Sequence, residues 1–202
     1  MAKPGERKLQ ILQTLATMLE NPKGEKITTA ALAARLECSE AALYRHFASK
    51  AQMFEGLIEF IETSLFSVIN QIAAEEAQGM QQVEHIVALL LRFAQRNRGM
   101  TKVLLGDALV NENERLQARI NQLLDRIEAA LKQALRVAAT QDQLAADADF
   151  GGLANLLLCH AIGRWQQYAK SGFTREPLAS WPQQWPMLQV ACLSQRTLPA
   201  TT

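Results

Sequence analysis

Paired cysteines are missing from this chain. Its three, Cys38, Cys159 and Cys192, are far apart and odd in number, which excludes a disulfide framework and the close spacing of a zinc site. Their expected role is that of small buried hydrophobes in a reducing compartment. Catalytic signatures are missing as well. There is no GxxxxGK phosphate loop and no GxSxG elbow, and His46, His85 and His160 have no carboxylate or cysteine at a spacing that suggests a metal or a triad. Neither an enzyme nor a cofactor or metal is expected. The apolar run Ile86 to Leu91 is much too short to cross a bilayer, and the opening MAKPGERK has no apolar core for a secretion signal. The expected location is the cytoplasm, without a membrane partner. No linker rich in Pro, Gly or Ser divides the 202 residues, and no repeat recurs. At 49% hydrophobic, the chain has enough apolar content for an all-α fold in which a small head, residues 1–50, is fused to a larger helical body, residues 51–196.

Positive charge is unevenly spread. Residues 1–50 carry eight Lys and Arg against five Asp and Glu, whereas the remainder carries thirteen against fifteen, with no Lys or Arg from Ala51 to Leu91. The excess coincides with the densest local pattern, TTAALAARLECSEAALYRHFASK from Thr28 to Lys50. Thr28 or Thr29 is placed to cap a helix running to Leu36, and Ser39 to cap the next, because a hydroxyl oxygen accepts an orphan N–H of the first helical turn. Leu32 and Leu36, four apart, share the face that packs beneath the second helix. Ala41 and Ala42 keep the outer face of that second helix slim enough for a groove about 12 Å wide. Tyr44, Arg45, His46 and Lys50 follow as a hydroxyl and positive charges suited to phosphates. This is the layout of a helix-turn-helix, and double-stranded DNA is the expected partner. Arg7 and Lys8, ahead of the apolar face Leu12, Leu15 and Leu19, are placed to add contacts or simply to solvate a helix end.

In these residues, most clearly AALYRHFASK from Ala41 to Lys50, the chain resembles the TetR family, which carries an aromatic, a His-Phe pair and a Ser-Lys in this order. The resemblance implies a candidate DNA-contacting set of Thr28, Thr29, Ser39, Glu40, Ala41, Tyr44, Arg45, His46 and Lys50. Two positions depart from the family pattern. Glu37 stands where Gly is usual, so either a residue with a Cβ accepts positive φ at a cost or the turn differs. Ala48 stands where Pro is common.

The body reads as helices. Phe54, Leu57, Ile58, Ile61, Leu65, Ile69 and Ile72 form one stripe along residues 51–77, with Phe60 and Phe66 beside it. Val83 to Asn97 is a buried helix that Gly99 is expected to break. Leu116, Ile120, Leu123, Ile127, Leu131 and Leu135 mark the longest amphipathic helix, on which Glu128 and Lys132 are spaced to pair. Phe150 to Tyr168, interrupted by Gly163, and Trp181 to Leu193 close the chain, with Pro182 and Pro186 tolerable only near a first turn. Leu153, Leu157, Trp165, Trp185 and Leu188 exceed what one bundle wall needs, which suggests a homodimer through these C-terminal helices.

Several ordered stretches, among them SKAQMFEGLIEFIETSL, RNRGMTKVLLGDAL and ERLQARINQLLDRIEAAL, narrow the resemblance to the nucleoid occlusion factors within the TetR family. What this implies is about nine helices and a dimer on palindromic chromosomal sites. It also implies a body that binds the C-terminal tail of the cell-division protein FtsZ in a groove between the fourth and fifth helices. Phe60, Leu89, Arg96 and Asn97 are the candidate contacts, and Val68 and Arg92 depart from the relatives' charges there. The alternative is a ligand-responsive transcriptional repressor of the same family, with Phe66, Phe93, Trp165 and Tyr168 lining an effector pocket.

Overall fold

The computed structural model describes residues 4–21, 27–110 and 112–193. Among the described residues there are nine α-helices, one short 3-10 turn and no strand. In chain order they are α1 (Pro4–Leu19), α2 (Thr29–Arg35), α3 (Glu40–Tyr44), α4 (Lys50–Glu75), α5 (Gly79–Arg96), α6 (Arg98–Leu104), the turn Asp107–Leu109, α7 (Glu114–Thr140), α8 (Phe150–Lys170) and α9 (Trp181–Leu193). They make two compact units, one of Met1–Thr63 with Arg96–Asn121 and one of Ser64–Gln95 with Gln122–Thr202.

In the first unit the apolar faces of short helices supply the core: Ile11, Leu15 and Leu19 from α1, Leu32 from α2, Leu43 from α3, and Met53, Phe54 and Leu57 from α4 are all buried. Gly99 does not end a helix. The chain breaks at Asn97 instead, and Gly99 lies buried in α6, where a Cβ would fall 1.9 Å from the Ala16 carbonyl oxygen. Its missing side chain is what lets α6 press against the backbone of α1.

In the second unit, the start of α5 is anchored by the end of α7. A Cβ on Gly79 would sit 2.1 Å from the Ala138 nitrogen, and the N–H groups of Gly79 and Met80 donate to the side-chain oxygens of Gln141 and Gln143 at 2.9 and 3.1 Å. Two orphan donors of a helix start are thereby satisfied by side chains more than sixty positions away. On α8 the Trp165 indole N–H donates to the Leu90 carbonyl at 3.0 Å and the Tyr168 hydroxyl to the Gln95 carbonyl at 3.1 Å. Both rings are almost fully buried, and each is tied by its polar atom to the backbone of α5.

Several local expectations need correction. Gly163 does not interrupt α8, since a glycine on an exposed helix face costs only about 1 kcal/mol relative to Ala. Glu128 accepts a hydrogen bond from Asn155 Nδ2 at 3.0 Å, a partner on α8, rather than an ion pair from Lys132 on its own helix. Pro186 lies inside α9, one turn beyond Pro182. Cys192 alone among the cysteines is buried, which pushes its thiol up to about 11, while Cys38 is half-buried and Cys159 exposed. Leu153, Leu157, Trp165 and Trp185 are buried within the single chain, with Leu188 half-buried. On α8 and α9 the large apolar side chains left outside are Leu156, Met187, Val190 and Leu193.

Candidate nucleic-acid interface

The helix-turn-helix is built from local hydrogen bonds. Thr28, in extended backbone at φ −108°, accepts the Ala31 N–H at 3.1 Å, and Ser39 accepts the Ala42 N–H at 3.3 Å. Both are N-caps. Between them Glu37 adopts φ 50°. The Cys38 N–H reaches back to the Ala33 carbonyl at 3.0 Å and the Glu37 N–H to the Ala34 carbonyl at 3.1 Å. These two bonds define a Schellman turn, whose left-handed position usually goes to glycine. The departure at Glu37 is therefore absorbed by strain at one exposed residue, and the turn keeps its ordinary shape.

The two helices are also tied by side chains. The Thr29 hydroxyl donates to Glu40 Oε2 at 2.5 Å, joining the start of α2 to the start of α3. Arg7 donates to the Leu36 carbonyl at 3.4 Å and to Gln10 Oε1 at 2.7 Å. Its charge lies at the C-terminus of α2, where the helix dipole favours a cation. Lys8 lies 5.6 Å from the centre of the Phe47 ring. The ends of these two side chains thus help assemble the head.

The exposed face contains Ala41, Tyr44 and Arg45, with His46 half-buried beside them. The side chains of Tyr44, Arg45 and His46 make no hydrogen bond or ion pair with the described residues. They present a phenolic O–H, a guanidinium and an imidazole at the C-terminal end of a five-residue helix, Tyr44 closing it and Arg45 and His46 following. Such groups donate to phosphate oxygens, and the small Ala41 leaves room for base edges. Lys50 differs. It opens α4, and its ammonium is ion-paired with Glu112, from the segment between the 3-10 turn and α7, and lies 5.6 Å from the centre of the Phe54 ring. Glu112 is 62 positions away, so no local pattern marks it.

The four candidate partner contacts are placed separately. Phe60 is half-buried on α4 in the first unit, and Leu89 is half-buried on α5 in the second. Arg96 and Asn97 come together with Gln13, Thr17 and Glu20 of α1 around an open cleft of about 170 Å³. Val68 borders a separate hollow of about 300 Å³ with Ile72, Glu75, Glu76 and His85. Arg92 is exposed on α5.

Residues 25–57 match the family described as bacterial regulatory proteins, tetR family, and residues 77–192 match the SlmA-like family described as tetracyclin repressor-like, C-terminal domain. The nucleoid occlusion factor SlmA of Marinomonas sp. (strain MWYL1) is 50% identical over 186 residues, covering 92% of this chain and 94% of that one. The protein of the same name from Shewanella pealeana is 52% identical over 183 residues, covering 91% and 93%. Among solved structures, a TetR transcription regulator from Haloarcula marismortui superposes with a TM-score of 0.79 at 17% identity, covering 94% and 99%. The fatty acid degradation regulator FadR from Bacillus halodurans gives 0.79 at 12% identity, covering 93% and 97%. These two likenesses establish the fold alone.

Proposed function

Because this chain belongs to the SlmA family of TetR-type nucleoid occlusion factors, we propose that it acts by binding rather than catalysis, holding DNA and the division machinery together. In this reading a homodimer sits on palindromic sites in the nucleoid, in the cytoplasm. Tyr44, Arg45, His46 and Lys50 hold phosphates, with Thr28 and Thr29 at the opening of α2, while Ser39, Glu40 and Ala41 face the base edges. The body meanwhile receives the FtsZ C-terminal tail through Phe60, Leu89, Arg96 and Asn97. The carrying observation is the capped α2–α3 pair at whose end Tyr44, Arg45 and His46 make no hydrogen bond or ion pair with the described residues, in a chain about half identical to SlmA proteins over nine-tenths of its length. An aromatic and a guanidinium are side-chain types suited to a short tail of mixed apolar and charged residues.

Paired titrations test the reading, one with FtsZ tail peptide and one with site DNA, alongside melting curves. Phe60→Ala is expected to weaken peptide binding by roughly 2 kcal/mol or more and leave DNA affinity unchanged. If the DNA-bound parent binds no tail peptide, the division role fails and a ligand-responsive repressor takes its place. Chromosome-wide mapping separates the two independently: many scattered sites accord with occlusion, and one or two promoters with a repressor.

A further inference from the structure

Among the described residues, Lys50 is the one charged side chain proposed as a phosphate contact that already has an ionic partner. The Lys50 and Glu112 side chains are 23% and 16% exposed, so the pair is largely withdrawn from water, where ion pairs are screened least. A second ion pair, between Arg119 Nη2 and Glu62 Oε2 at 3.7 Å, joins α4 to the first turns of α7, seven residues beyond Glu112. A phosphate approaching Lys50 has two courses. It displaces Glu112, leaving a mostly covered carboxylate without its cation, or it shares the ammonium and meets a like charge at close range. Both weaken binding relative to an unopposed lysine.

We propose that Glu112 is an internal competitor for DNA: it occupies Lys50 in the free protein and lowers affinity for every sequence alike. This inference rests on the reading of Lys50 as a phosphate contact. Glu112 acts only through Lys50 and touches no base. Because the competition is a thermodynamic linkage, it runs in both directions. DNA binding loosens the hold of Glu112 on α4, and any ligand or partner that draws the segment before α7 away from α4 tightens DNA binding. The sequence-independent part of the affinity is thereby under the control of a segment outside the helix-turn-helix.

The experiment uses the full-length protein and a mixed-sequence duplex of about 20 base pairs, roughly two helical turns, titrated over a series of salt concentrations. Glu112→Gln keeps the shape and removes the charge. It is expected to bind about two- to five-fold more tightly at low salt, the upper part of what a partly exposed ion pair is worth. Glu112→Ala should show the same gain, and a melting curve for each variant checks that it is folded. In a Lys50→Ala background the gain should vanish. Unchanged or weaker binding by both folded Glu112 variants overturns the proposal, since Glu112 would then merely hold Lys50 in place. A gain that persists without Lys50 overturns it too, as a general charge effect. Loss of affinity in Lys50→Ala alone keeps the phosphate contact standing in either case. If Lys50→Ala binds like the parent across the salt series, the phosphate contact itself is wrong.

Discussion

Glu37 is an exposed residue held at φ 50° by the two hydrogen bonds of its turn. The left-handed conformation costs a residue with a Cβ roughly 1–2 kcal/mol, whereas glycine gives back about 0.4–1 kcal/mol through the freedom of its unfolded chain. Glu37→Gly is thus expected to stabilise the protein by about 0.5–1 kcal/mol, seen as a higher urea midpoint with an unchanged slope. His160 supplies a pH-dependent counterpart. Its Nε2 is buried without a hydrogen-bond partner, its ring lies 6.1 Å from that of Trp181, and burial first and Arg164 second push its pKa below 6.5. The unfolded chain therefore binds a proton more readily than the folded one. The contribution is fully present above pH 6.5 and is lost as pH falls from 6.5 toward the lowered folded value. The melting temperature should drop over that interval, and His160→Leu should remove that part of the slope. A parent and variant with parallel profiles would show that His160 titrates alike in both states.

Helices in this molecule are held by close approaches as much as by apolar stripes. The contact of α6 with α1 depends on Gly99, where a methyl group would collide with the Ala16 carbonyl oxygen at 1.9 Å, and backbone cannot swing aside as a side chain does. Gly99→Ala is expected to cost about 2–3 kcal/mol, read from chemical denaturation. DNA affinity should fall with it, because α1 also carries Arg7 and its bond to the end of α2. A Gly99→Ala protein as stable as the parent would mean that α6 is free to shift. The ends of the helices follow a common scheme. The turns after α2, α7 and α8 each place a positive-φ residue just past the cap, Glu37, Asp142 and Gly172, followed by an N–H that reaches back to a carbonyl of the last turn. After α8 the next residue, Phe173, packs its ring edge-on against Tyr168 at 5.1 Å, the apolar contact that accompanies such a turn.

At the scale of the whole molecule, the apolar residues left in water point to a second copy of the chain. Leu156 lies on α8, with exposed Cys159 and Gly163 three and seven residues on, so they share a face. Met187 and Val190 of α9 are 70% and 63% exposed. An isologous dimer through these faces would cover them. Leu156→Arg and Val190→Arg are expected to yield folded monomers in sedimentation, with weakened binding to palindromic DNA. Leu157→Arg is expected to unfold the chain, because that side chain is fully buried in the single copy and an unpaired charge there has no compensation. A parent that sediments as a monomer at micromolar concentration would remove the dimer.

What the amino-acid sequence by itself determined is whatever depends on neighbours within a few positions. The cap at Ser39, the narrowing of the first cap to Thr28 or Thr29, the amphipathic faces of α4 and α7, and the choice at Glu37 between positive φ and a different turn were legible because their hydrogen bonds and periodicities close within one or two turns. So were the outward groups Tyr44, Arg45 and His46. Only the tertiary structure decided which of two adjacent leucines, Leu156 or Leu157, faces out, since both are equally apolar and burial depends on what packs against them. It also decided that Gly99 is a contact rather than a break, because the reason is a carbonyl on α1 and not a feature of its own helix. The pairing of Lys50 with Glu112 belongs to the same class: two opposite charges 62 positions apart carry no mutual signal until packing brings them together.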